Sequence, residues 1–314
     1  MSHVLTRESS EIDADAAFEK MITRLSRLST DKGFDAYRDV DWDSPDMAMS
    51  PTDERFVLPE VDPLGATEWY RSQSVDSQAR IGLMRMASCL KTGWHFENLL
   101  QQALLHRALE LADDSVEFRY IHHEVIEESQ HTLMFHEFVH RSGLTVRGMP
   151  WVLRTMTMPL IRYAARHLPA LFFLMVLGGE DPVDLLQRRM LATGQTHPLL
   201  AQIMRIHIAE EARHISYARS ALKREVPRVG PIRRQLFAIA APVTMGIMVR
   251  MMVVPTVDVI RAGVPRSVIR QAFSTPDGRR LLADSAARPR ELLVQLDAVT
   301  PLGRWLWKAF GIWS

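Results

Sequence analysis

Only one cysteine, Cys89, stands among 314 residues. A lone thiol closes no disulfide framework, and it excludes a cysteine-built zinc site and a cysteine-ligated iron–sulfur cluster. Charge of one sign is also missing. With 38 Lys and Arg against 37 Asp and Glu, the net charge is +1, so no global field favours nucleic acid or an anionic membrane, although local basic patches remain open. Long apolar runs are scarce as well. The most apolar, Leu236 to Val249, contains Pro242 and stops at Arg250, short of the roughly 20 residues that span a bilayer; a buried helix and no membrane span are expected. The opening MSHVLTRESSEIDADAAFEK has no basic stretch followed by an apolar one, so no signal peptide is expected and a cytoplasmic location fits. A Gly-rich dinucleotide fingerprint is absent too. What remains is 47% apolar and 24% charged, the balance of a globular chain able to bury a large core.

The periodicity is helical almost throughout. An amphipathic stretch over about Ile12 to Leu28 precedes an Asp-, Pro- and Trp-rich segment, Asp31 to Gly65, that reads as an irregular wrap with a short extended piece near Phe56 to Val61. A long helical pattern covers Val75 to Leu111, with Gly93 a candidate kink. The next runs from Ser115 to Arg141, with Asp114 placed to cap its start and Gly143 suited to a left-handed residue after its end. Further patterns cover Pro150 to Arg166, Ala170 to Ala192, and Pro198 to Arg224, the last opening on a proline that the first helical turn tolerates. Others follow at Ile232 to Arg250, Pro265 to Phe273 and a Trp-rich tail. No linker interrupts the chain, so one all-α domain over residues 1–314 is expected, with a bundle core at about 75–224 and packing helices over 225–314.

Two of these helices carry the same short pattern: Glu128-Ser129-Gln130-His131 and Glu211-Ala212-Arg213-His214. A three-residue step turns about 300° on an α-helix, so each carboxylate and imidazole share a face. That face is apolar. Glu128 and His131 interrupt the stripe Ile121, Val125, Phe135, Phe138, and His207, Glu211 and His214 interrupt Leu200, Met204, Ile208, Ile215, Ala218. Burying unpaired charged groups against hydrocarbon costs several kcal/mol, so something must compensate them. Two more acids sit in apolar seams: Glu97 within Leu83, Met86, Leu90, Leu104, Ala108, and Glu180 at the end of LFFLMVLGG. The order Glu97, then Glu128 with His131, then Glu180, then Glu211 with His214 resembles ferritin-like di-iron or di-manganese bundles, in which two helices each supply a Glu and two each supply a Glu-x-x-His. Four glutamates would balance two divalent ions. Carboxylates with imidazoles suit iron or manganese, with iron the better match.

HEVIEESQH (His123 to His131), Glu180 and HIAEEARH (His207 to His214) are together similar to the di-iron oxygenases typified by p-aminobenzoate N-oxygenase. The discriminating residue is His207, four positions before Glu211, which ordinary ferritin-like sites lack. This resemblance covers about Val75 to Arg224. It implies a ferritin-like bundle with additional N- and C-terminal helices, and seven ligands at Glu97, Glu128, His131, Glu180, His207, Glu211 and His214. One metal would take Glu97, Glu128 and His131, and the other Glu180, His207, Glu211 and His214, with the bridging glutamates left open. It further implies O2 as co-substrate, N-oxygenation of an aromatic amine, and a homodimer.

Glu127 and Glu210 each lie four residues before a motif histidine and could replace their neighbours as ligands; the seams favour Glu128 and Glu211. His122, His123, His136 and His140 read as surface or supporting groups, with His123 or Glu124 placed to hydrogen-bond a ligand. Without a dinucleotide motif or cluster cysteines, electrons are expected from an external donor or reductase. Three other readings stay open: oxidation at carbon on the same site, hemerythrin-like O2 binding suggested by His123-x-x-x-Glu127 and His136-x-x-x-His140, and iron storage.

Overall fold

A computed structural model of the chain describes residues 2–313, with side chains from residue 13 onward. The Ile12 side chain, at the start of the expected amphipathic stretch, lies outside the described ones. Among the described residues there is no strand, and the all-α, ferritin-like architecture expected from the periodicity is what the chain adopts. The helices are α1 (Ser2–Asp31), α2 (Glu68–Arg71), α3 (Val75–Ala108), α4 (Val116–Arg141), α5 (Trp151–His167), α6 (Pro169–Ala192), α7 (Pro198–Glu225), α8 (Pro231–Val253), α9 (Val257–Arg261), α10 (Arg266–Ala272), α11 (Pro276–Ser285), α12 (Ala287–Gln295) and α13 (Pro301–Ala309).

Four of them make the bundle that matters for function. Helix α3 packs along α4 and α6 along α7, and α4 faces α7 across the centre. His131 meets Glu210 while Glu128 meets His214. A later residue of α4 therefore sits opposite an earlier one of α7, and the two helices run antiparallel. Helix α1 lies over α4 and α7, α5 rests against α3 and α6, and α8 covers the outer side of α6 with α13 behind it. Close packing around Glu180 depends on the preceding glycines. A Cβ on Gly179 would overlap the Phe96 ring, and one on Gly178 would come within 3.1 Å of Met248 Cβ. The pair lets α6 approach α3 and α8 at once, which brings Glu180 beside Glu97.

Several local expectations shift in detail. Ser115, not Asp114, caps α4, its side chain accepting from the Glu117 amide, while Gly143 takes the expected left-handed conformation at φ +65°. Gly93 does not break α3, which runs unbroken from Val75 to Ala108; it gives room to the Phe135 ring. The piece near Phe56 is a 3-10 turn, Glu54–Phe56, because Asp53 accepts from the Arg55 amide and tightens the chain there. Helix α8 is longer than the sequence suggested. It continues through Pro242 for 23 residues, and the stretch Pro231–Arg261 has the length and composition to cross a bilayer, with 56% of its most apolar window buried within the fold. Packing on α6 and α13 compensates for the hydrogen bond that proline removes.

Candidate metal centre

Glu97 from α3, Glu128 and His131 from α4, Glu180 from α6, and His207, Glu211 and His214 from α7 converge in the middle of the bundle, all of them buried. The structure thus brings the seven side chains singled out from sequence into one cluster. Helical spacing accounts for this: steps of three and four keep His207, Glu211 and His214 on one side of α7, pointing at the same side of α4.

Glu128 and Glu211 occupy the centre. His131 Nδ1 is 3.0 Å from Glu128 Oε2 and 3.3 Å from Glu211 Oε1. His214 Nδ1 is 3.0 Å from Glu128 Oε1 and 3.2 Å from Glu211 Oε1. Each of these two glutamates therefore touches both imidazoles. Glu97 and Glu180 close the opposite side, with oxygens that reach a common point with Glu128. His207 Nε2 lies 3.7 Å from both Glu97 and Glu211, and its ring is 4.6 Å from that of His131. The geometry groups His207 with Glu97 and His131, not with the Glu180 half expected from its own helix. Antiparallel packing is the reason: going back along α7 from Glu211 moves toward the His131 end of α4.

The outer face of each histidine is also occupied. His131 Nε2 donates to Glu210 at 3.0 Å, His214 Nε2 to Glu127 at 2.7 Å, and His207 Nδ1 to the Gln187 amide oxygen at 3.1 Å. An N–H committed outward leaves the inward nitrogen of a neutral ring with its lone pair free for a metal. Glu127 and Glu210 are thus turned to the backs of the imidazoles, crosswise between α4 and α7, and a single guanidinium, Arg213, binds both of them at 2.7 and 3.2 Å. Gln187 was not singled out from sequence; its position seven residues after Glu180, two turns along the same face of α6, was the available signal. The Asp31 to Gly65 wrap seals this layer, its Phe34 amide donating to Glu210 and its Ala36 amide to Gln130. His123 pairs with Arg119 at the surface, and both oxygens of buried Glu124 are without a hydrogen bond, so neither supports a cluster residue that way.

The crowded carboxylates and imidazoles shift one another's protonation strongly. Burial, then the charges of Glu128 and Glu180, push the Glu97 carboxyl well above the ordinary range; burial with Glu211 and Glu128 does the same to Glu180. Burial works against charging His131 and His214, yet the surrounding glutamates outweigh it and raise both well above the usual imidazole value. Burial and Glu211 push Glu128 upward, but the histidines prevail and hold it at about 2. Burial lowers His207 to about 4. Four buried atoms, Glu97 Oε2, Glu180 Oε1, Glu211 Oε2 and His207 Nε2, have no hydrogen-bond partner among the described residues. Native interiors rarely leave such groups unpaired, and the donor set of oxygens with imidazole nitrogens fits two iron or manganese ions.

Comparison with known proteins agrees with this chemistry. The family model described as p-aminobenzoate N-oxygenase AurF matches residues 15–297. The chain belongs to the AurF family. Curated relatives match most of its length: the uncharacterized protein MT0908 of Mycobacterium tuberculosis (strain CDC 1551 / Oshkosh) is 38% identical over 305 residues, covering 96% of this chain and 89% of the relative. The uncharacterized protein Rv0885 of M. tuberculosis (strain ATCC 25618 / H37Rv) is 37% identical over the same span and coverage. AurF-family membership makes the chain part of a di-iron oxygenase family, and its buried Glu/His cluster is able to hold metal.

Proposed function

We propose that the chain is a non-haem di-iron oxygenase that N-oxygenates an aromatic amine or related small molecule. The observation carrying this is the inward set of unpartnered, buried ligand atoms, with each histidine held from behind, in a bundle of the AurF family. Glu97, His131 and His207 would hold one ion, Glu180 and His214 the other, with Glu128 and Glu211 between them. A bound diferrous pair supplies two electrons to O2 and tolerates the charge change through its carboxylates. Oxidation of an amine to a hydroxylamine consumes one O2, two electrons and two protons, and releases one water. The electrons come from a separate reductase or small reductant, since the chain carries no dinucleotide fingerprint.

The protein's own contribution is positioning and exclusion of water. Gln187, Glu210 and Glu127 fix the three imidazoles, and the wrap closes the α4–α7 seam over them. The test is to express the chain with iron, determine its metal content, then reduce it, admit O2 and follow an arylamine panel by mass spectrometry. About two iron or manganese ions per chain and an amine gaining oxygen are expected. A metal-free protein of normal stability would refute the site, and amines left intact while a C–H substrate is hydroxylated would move the reaction to carbon.

A further inference from the structure

A cavity of about 60 Å³ opens one side chain away from the cluster. Phe135 and Gln187 form the shared wall: the Phe135 ring is 5.2 Å from that of His207, and Gln187 accepts from His207 Nδ1. The remaining surface is mostly apolar, with Met86, Leu90, Leu186, Met190, Leu200 and Met204. This is smaller than the roughly 150 Å³ that takes a benzene ring, but methionines have three rotatable bonds and repack around a guest.

The charges in this cavity decide what guest it accepts. Two arginines line it, Arg85 and Arg189. Arg85 is buried, binds Asp62 at 3.3 Å and donates to the Val253 carbonyl at 2.6 Å. Arg189 is bound by Asp284. Both cations are already neutralised, and Asp62 itself lines the cavity. p-Aminobenzoate, the compound in the family's name, carries a carboxylate. Placed here it would meet an aspartate and no free guanidinium, so it would lose its hydration without gaining a counter-ion.

We propose that this cavity receives the substrate and selects a neutral, apolar molecule over a carboxylated one, with Asp62 setting that preference by occupying Arg85. The proposal rests on the oxygenase reading for what happens to the guest, but not for its binding. The experiment is calorimetric titration of the full chain, as purified, with 4-propylaniline and with 4-aminobenzoate, which differ mainly in that one charge. Wild type should bind 4-propylaniline about tenfold or more tightly than 4-aminobenzoate. In Asp62→Asn, Arg85 is released, and 4-aminobenzoate should gain about tenfold while 4-propylaniline changes little. Met204→Trp, which fills the cavity and leaves the ion pair alone, should abolish binding of both; it also keeps the proposal testable if Asp62→Asn fails to fold. Equal or tighter binding of 4-aminobenzoate by wild type, or binding unaffected by Met204→Trp, overturns it. Tight binding of 4-propylaniline without its oxidation would instead count against N-oxygenation and leave the selectivity standing.

Discussion

Two clusters of buried acid sit on the same helices and behave in opposite ways. At the start of α4, Glu117 accepts from Arg107 at 2.8 Å, from the Tyr217 hydroxyl at 2.7 Å and from Arg224 at 3.3 Å. Burial pushes its carboxyl up, but the two guanidinium groups outweigh that and hold it below the usual range. Eleven residues further along α4, about 16 Å by helical rise, Glu128 joins Glu97, Glu180 and Glu211, where no arginine among the described side chains reaches and Glu97 and Glu180 are driven well above that range. The first cluster brought its own cations and ties α3, α4 and α7 together. The second has carboxylates and imidazoles but, among the described residues, no Lys or Arg, which suits a site that takes metal ions from solution.

The sharpest way to break this contrast is to remove a central carboxylate. Glu211 touches both His131 and His214, so Glu211→Ala should reduce bound metal from about two ions per chain to at most one and abolish O2 reactivity, with helical circular dichroism unchanged. His207→Ala should lose one ion. Metal analysis checks both, and full occupancy in both variants would show that Glu127 and Glu210 face the metals instead. The reciprocal change at the other cluster is Glu117→Ala. It strands Arg107 and Arg224, both largely buried, and should cost about 3–5 kcal/mol in urea unfolding, with metal stoichiometry intact in the folded protein. Loss of metal there would mean the two clusters are not separable.

Protons sharpen the comparison further. In the metal-free site, burial and like charge keep Glu97 and Glu180 protonated, and the surrounding carboxylates, against burial, keep His131 and His214 protonated. Each must be without that proton to bind metal, so loading should release protons. Release on binding means that raising the pH favours the metal-bound form and lowering it favours the protonated one. Affinity should therefore fall as the pH is lowered. Calorimetry in buffers of different ionisation enthalpy counts the protons; uptake without release would show a site that was never protonated. Glu117 already has its cations and should show no such metal-linked titration.

Much of this was legible in sequence because helical spacing converts directly into direction. Glu128 with His131, and His207 with Glu211 and His214, interrupt apolar stripes at three- and four-residue steps, and no knowledge of neighbouring helices is needed to see that they face inward. What required the fold was anything that depends on how two helices run past each other. The partner of His207 follows from α4 and α7 being antiparallel, which spacing on one helix does not encode. Gln187 looks like any polar residue until α6 is docked against α7.

The smallest expected effect lies behind the metals. Glu127 on α4 serves His214 on α7, and Glu210 on α7 serves His131 on α4, so each helix holds the other's imidazole through a carboxylate one position before its own inward glutamate. Arg213 joins the two carboxylates. Glu127→Gln or Glu210→Gln keeps the shape and a hydrogen-bond acceptor but removes the charge that makes the ring a better donor to metal, and should weaken metal binding about 10–100-fold without changing its stoichiometry. Arg213→Met should weaken binding in the same direction but by less, because both carboxylates stay in place and lose only their shared counter-ion. Competition with a chelator ranks the three. If either glutamine variant lost an ion outright, that glutamate would be a ligand and not a support, and the line drawn between cations held by the protein and cations taken from solution would have to move outward by one residue.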